Sequence, residues 1–286
     1  MTKINEKALL CQLNVSQWLG RKFDRKATQD VANLNNTSSK AGRYNKLLLP
    51  MSDSLTDIHK GTTSIRHKFY ENTLHWDGEG QNLLPTKNYL DYMSLFRQQK
   101  TDWFALVDKF LQEYPQLQTN ASRMLGDLYN ASDYPSVSEL RSKFSMDMVV
   151  MPVPSDDFRV DVNDKEMQII QQDVGTRVAN ASDSAMQEAW QRLYDKVKHI
   201  ADKLSDPKSV FRDTMINNLT DICNVLKNLN IHDDPNLENL RQEVQQSFAN
   251  EIPESLRNDT HLRNRKADEA SAIMKKMNVY MGGSSE

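Results

Sequence analysis

Apolar residues step by alternating fours and threes through Met186, Trp190, Leu193, Val197, Ile200 and Leu204. After Asp206-Pro207 the pattern resumes as Met215, Leu219, Ile222, Leu226 and Leu229. That period belongs to helices that bury one stripe, so Ser182 to Leu229 is predicted to form an antiparallel hairpin around a tight turn. Its stripes need covering by each other and the rest of the chain, or by a second copy. Met186, Trp190, Leu193, Val197, Ile200 and Leu204 are therefore the candidate self-association surface. A period of two opens the chain instead: Leu9, Cys11, Leu13 and Val15 alternate with Leu10, Gln12, Asn14 and Ser16, as along a half-buried strand. Met146 to Val153 reads as an inner strand, Asp157 to Val162 as its half-exposed neighbour, and Leu47-Leu48-Leu49 as a short buried one.

Helices fill the remainder. Asp24 caps one carrying Ala27, Val31 and Leu34. Ser52 or Asp53 caps another with Leu55, Ile58, Ile65 and Phe69 on its inner side and Gly61 weakening its middle. Tyr89 to Tyr114 forms a helix with an aromatic stripe, which Pro115 is expected to end, and Leu117 to Leu128 forms the next. Ser136 or Ser138 caps a short helix anchored by Leu140 and Phe144. Ile169, Ile170, Val174 and Val178 lie on a helix that the polar run Asn180 to Asp183 caps or kinks before the hairpin. Pro235 starts a helix with Leu237, Leu240, Val244 and Phe248, and the acidic pair Asp233-Asp234 beside His232 reads as its capping chemistry. Pro253 opens the last, running to Tyr280. The expected architecture is α+β and mainly helical: a small sheet of three or four strands, then a helical hairpin and bundle. The expected division is an N-terminal domain over 1–163, a helical region over 164–281 and a flexible tail over 282–286.

Composition narrows the function classes. The chain has 286 residues, 38% of them hydrophobic, and a formal net charge of −3, as in an ordinary globular protein with no overall pull toward nucleic acid. No leader and no apolar run of membrane-spanning length is evident. Two cysteines, Cys11 and Cys223, both within apolar patterns, read as buried free thiols in a reducing compartment. There is no Walker loop, no Gly-x-Gly-x-x-Gly, no Gly-x-Ser-x-Gly and no Cys-x-x-Cys. With nine glycines, a phosphate-cradling loop is hard to build. No catalytic residue, cofactor or metal is assigned, and a non-enzymatic role is expected.

Two local features carry chemistry. Arg21, Lys22, Arg25, Lys26, Lys40, Arg43 and Lys46 face only Asp24 and Asp30 over residues 20 to 46, with Tyr44 placed to stack. This basic segment is the candidate surface for nucleic acid or an acidic partner. His67, Glu71 and His75 fall at i, i+4 and i+8 on a predicted helix, although no third-ligand motif accompanies them.

An ordered series of short motifs adds a resemblance. Trp18, Lys22-Phe23-Asp24, Tyr44-Asn45-Lys46 with Leu47 to Pro50, and Thr73-Leu74-His75-Trp76 with Asp77 and Gly80 come first. Leu83-Leu84-Pro85, Tyr134-Pro135, and Pro152-Val153-Pro154 with Asp157 to Val160 follow. Over roughly residues 10 to 165 the series resembles a phage-encoded domain-of-unknown-function family, whose genes often lie near those for a MoxR-type AAA+ ATPase and a cobaltochelatase-like protein with a von Willebrand factor A domain. The resemblance implies a phage origin, the host cytoplasm, and those two proteins as partners for an adaptor. It supplies no catalytic residues. The leading expectation is a phage protein that works by assembling into a homo-oligomer.

Overall fold

The computed structural model describes residues 4–76, 80–155, 163–209 and 212–282. The strand expected over Asp157 to Val162 lies outside them, as does all of the tail beyond Gly282. The fold is α+β and mainly helical. Its helices are α1 (Ile4–Lys7), α2 (Arg25–Leu34), α3 (Asp53–Asn72), α4 (Thr86–Leu125), α5 (Val137–Arg141), α6 (Asp164–Ser205), α7 (Thr214–Leu229), α8 (Pro235–Phe248), α9 (Pro253–Asn258) and α10 (Thr260–Tyr280). The strands are β1 (Ala8–Ser16), β2 (Arg21–Phe23), β3 (Asn45–Leu47), β4 (Leu74–His75), β5 (Asn82–Pro85) and β6 (Ser145–Pro152). They form a four-stranded sheet of order β4-β5-β1-β6 and a separate β2-β3 pair.

The chain divides differently from the expected boundary at 163. One unit comprises Met1–Gln12, Lys68–Tyr92 and Val149–Glu286, the other Leu13–His67 and Met93–Met148. The physical reason is the first unit's core. Ala8 and Leu10 of β1, Leu74 of β4 and Leu83 of β5 share one apolar cluster with α6, α7, α8 and α10, so the first strands belong with the last helices. Antiparallel pairing sets Leu10 opposite Leu83, and Leu83 opposite Leu74. Asn82 in the same strand is buried and donates to Thr73 Oγ1 (3.0 Å).

In that unit α6 runs unbroken for 42 residues, without the expected cap or kink at Asn180 to Asp183. Ser182 is not a helix start: it is buried, and its hydroxyl bonds to His232 Nε2 (2.7 Å). The connection to α7, 206–213, is longer than the tight turn expected, and 210 and 211 in it lie outside the described residues. Arg263 on α10 holds it, donating to the carbonyls of Leu204 (2.9 Å), Lys203 (2.9 Å), Asp206 and Ser209 (3.3 Å), some of which α6 leaves open at its C-terminus. The last helix is broken at Asp259, which accepts from the first amides of α10 at His261 and Leu262. Asp234 caps α8 as expected, while Asp233 turns away to pair with Lys7 and Lys87, 2.6 Å each. Those two ammonium groups hold the Asp233 carboxyl at about 2.

The second unit is built on aromatic packing. Trp103 of α4 is buried and donates its indole N–H to Thr62 Oγ1 of α3 (2.9 Å), and Phe110, Tyr114, Phe144 and Trp18 pack ring on ring beside it. Gly61 has a reason in this contact: a Cβ there would stand 3.2 Å from Trp103 Cδ1. Pro115 does not end α4, which continues to Leu125 and absorbs the separate helix expected from Leu117. Its ring sits on the exposed side, while Tyr114 and Ala121 on either side are buried and tie the continuing turns to the core. Ser136 and Glu139 form a reciprocal capping box at α5.

Candidate functional site

The predicted self-association stripe is internal. Met186, Trp190, Leu193, Val197, Ile200 and Leu204 are at most 6% exposed within the single chain, in the cluster completed by α7, α8 and α10. Trp190 stacks on Tyr280 (5.8 Å between centroids) and donates to Asp234 Oδ2 (3.1 Å). These residues are already covered by their own chain and present no surface.

The histidine series does not form on one helix either. α3 ends at Asn72, and His75 lies on β4 with its backbone N–H donating to Glu188 (2.7 Å). Among the described residues no three His, Cys, Asp or Glu side chains gather as a metal requires. Cys11 and Cys223 are both free and buried; burial pushes their thiols up to about 12 and about 11, which keeps them protonated at neutral pH.

The basic segment folds into a β2-α2-β3 module. Gly20 starts it with φ +63, where a Cβ would come within 2.7 Å of Leu55, and its carbonyl accepts from the Leu48 amide (2.7 Å). The strands pair with Arg21 opposite Leu47, Lys22 opposite Lys46 and Phe23 opposite Asn45. Asp24 caps α2, accepting from the Ala27 amide (2.9 Å). Only Thr28 and Ala32 of α2 are buried, whereas the apolar Val31 and Leu34 are exposed. Thr28 is inside because its hydroxyl donates to Asp24 O (2.7 Å) and accepts from the Tyr44 amide (3.0 Å), tying the 35–44 loop to the helix.

Two of the seven cations are withdrawn from the expected patch. Lys22 and Lys46 stand directly opposite each other, a destabilising arrangement for like charges. Asp133 resolves it, with one carboxylate oxygen 2.6 Å from Lys22 and the other 2.8 Å from Lys46. Lys46 is only 6% exposed and also pairs with Asp24 (2.9 Å) and donates to the Leu128 carbonyl (2.7 Å). Burial lowers its pKa, but the bonds to Asp133 and Asp24 outweigh that and raise it overall. Asp133 is shifted the other way. Burial raises it, and the hydrogen bonds from Lys22 and Lys46 prevail and lower it.

The other five cations remain in solvent. Arg21, Arg25, Lys26, Lys40 and Arg43 are all exposed and make no ion pair among the described residues. Phe23 and Tyr44 are each 39% exposed, and the Arg43 guanidinium sits over the Phe23 ring at 5.0 Å. A cleft of about 330 Å³ between α2 and the loop is lined by Arg43, Tyr44, Thr37 and Ser38, among others. The sequence locates this segment but does not separate its paired from its unpaired cations, because the sorting carboxylate, Asp133, belongs to a distant turn. No family model, curated protein or solved structure matches this chain, and its function rests on the chemistry of its own surfaces.

Proposed function

We propose that this protein binds single-stranded nucleic acid through the β2-α2-β3 module. The supporting observation is that Arg21, Arg25, Lys26, Lys40 and Arg43 stay in solvent, with no ion pair among the described residues, on a module that also exposes Phe23 and Tyr44, while Asp133 pairs with Lys22 and Lys46. On a chain of net charge −3 this local excess steers phosphates to one place. Exposed rings beside guanidinium groups favour unpaired bases, which stack for about 1–3 kcal/mol each. Fluorescence anisotropy with a labelled oligonucleotide tests the reading. Three to five phosphate contacts predict a log–log salt slope of about −2 to −3.5. Reversing charge at Arg25, Lys26 and Arg43 together should abolish binding. Salt-insensitive binding, or a triple variant that binds like the parent, would refute the proposal, and capture of acidic peptides alone would reassign the surface.

Self-association is a second reading, with a different seat from the stripe expected. The first half of α6, Asp164 to Ala181, buries none of its residues, and Met167, Ile170 and Val174 lie half-exposed along it before Val178 reaches the core cluster. Asp164 and Glu166 sit at one end and Arg177 near the other, so a second copy laid antiparallel would bring opposite charges together. Light scattering on a sizing column should then give a dimer that Val174→Glu converts to a folded monomer. A parent that is monomeric at high concentration would exclude it.

A further inference from the structure

Away from the basic module, α6 and α7 enclose a groove of about 490 Å³. Its floor is apolar, formed by the buried side chains of Ile200, Met215 and Leu219. Its walls are cationic. Lys196, His199 and Lys203 each precede a core residue of α6 by one position, so the i, i+3, i+7 spacing of the core row sets them in a parallel row at its edge. Arg212 approaches from the α6–α7 connection, and Thr214 and Asn218 add polar groups from α7. Against three full cations the lining holds one carboxylate, Asp195, which already accepts from Gln191 (2.7 Å). None of Lys196, Lys203 and Arg212 makes an ion pair among the described residues.

The start of α7 adds to the imbalance. Asp213 stands at its N-cap in helical geometry and makes no capping hydrogen bond, its carboxylate being drawn to Arg257 at 2.7 Å. The first turn of α7, whose Thr214 lines the groove, therefore keeps the positive end of its dipole without a side-chain acceptor. A concave, apolar-floored site with a few convergent polar groups is the usual form of a small-molecule pocket. The charge on its rim selects an anion.

We propose that the groove between α6 and α7 binds a small phosphate monoester, its dianion held by Lys196, Lys203 and Arg212 and its apolar or planar body resting on Ile200, Met215 and Leu219. The site is independent of the module assigned to nucleic acid. Isothermal titration of the full chain with adenosine 5′-monophosphate, adenosine and inorganic phosphate tests it. The monophosphate should bind, inorganic phosphate more weakly, and adenosine not measurably. Lys196→Gln and Arg212→Gln should each weaken the monophosphate by about tenfold, the loss of one charge-assisted contact, with the melting temperature of the free protein unchanged. The Arg25, Lys26 and Arg43 reversals should leave this titration unaltered. No binding of either phosphate probe, equal affinity for adenosine and its monophosphate, or an unaltered affinity in both glutamine variants would overturn the proposal.

Discussion

Leu193→Ala should cost about 2–5 kcal/mol of stability, as for a fully buried leucine whose cavity cannot collapse, and the loss should be the same at every protein concentration. Leu193 is 0% exposed, beside Val197 and Ala189 in the cluster shared with α7, α8 and α10. A seam between copies would behave differently, because its melting temperature rises with concentration by mass action. Thermal unfolding of parent and variant over about a hundredfold range of concentration separates the two cases. A variant that falls apart into folded monomers, or whose deficit disappears on concentration, would show that the stripe is an interface after all.

Lys46→Met should destabilise the second unit by about 3–5 kcal/mol, the usual result of removing one partner from a buried charge pair. Methionine keeps much of the volume but leaves Asp24 without its ion-pair partner and Asp133 with Lys22 alone. The pH dependence fixes the sign. In the parent, Asp24 lies below its ordinary 3.8, chiefly through the Ala27 amide and then the Lys46 bond, and Asp133 also lies below 3.8. The stability these groups contribute is complete above 3.8 and is lost as pH falls through their lowered folded values. Lys46 lies above its ordinary 10.5, so its contribution is complete below 10.5 and is lost as pH rises past the higher folded value. The parent should therefore hold its stability across the interval between those limits. The methionine variant should lose less than the parent on acidification, because Asp133 keeps only Lys22 against its burial while Asp24 keeps the Ala27 amide. Chemical denaturation at several pH values checks both slopes. Parallel profiles would mean that the Lys46 pairs contribute nothing.

These two residues also mark how far the sequence was legible. The period through Leu193 correctly announced a helix with one buried stripe, and the strands at β1 and β6 were equally readable from their patterns. A period names the face to be buried without naming what buries it. α10, which covers much of α6, begins more than fifty residues after α6 ends. Lys46 stands in a basic run along the sequence, and its partner Asp133 comes from a remote turn. Pro115 and the polar run Asn180 to Asp183 predict breaks on local propensity, which tertiary packing overrides at both places. Val31 and Leu34 misled for the opposite reason. They are apolar, but the helix that bears them is tied down through Thr28, a polar residue buried by the two hydrogen bonds of its hydroxyl.

The passage of the chain between its two units bears on how it is made. It crosses four times, within β1, α3, α4 and β6. The unit holding Leu13–His67 and Met93–Met148 is complete once the ribosome has passed residue 148, but the other unit starts at the first strand and needs the last helix. During vectorial synthesis Ala8 and Leu10 must wait for α6 to α10, a delay on the order of ten seconds at cellular elongation rates. For that interval the nascent chain carries a finished nucleus and an uncovered apolar face, Ala8 and Leu10 of β1 with Leu83 and Leu74 beside them, and it is on that face that chaperones or misfolding would first act.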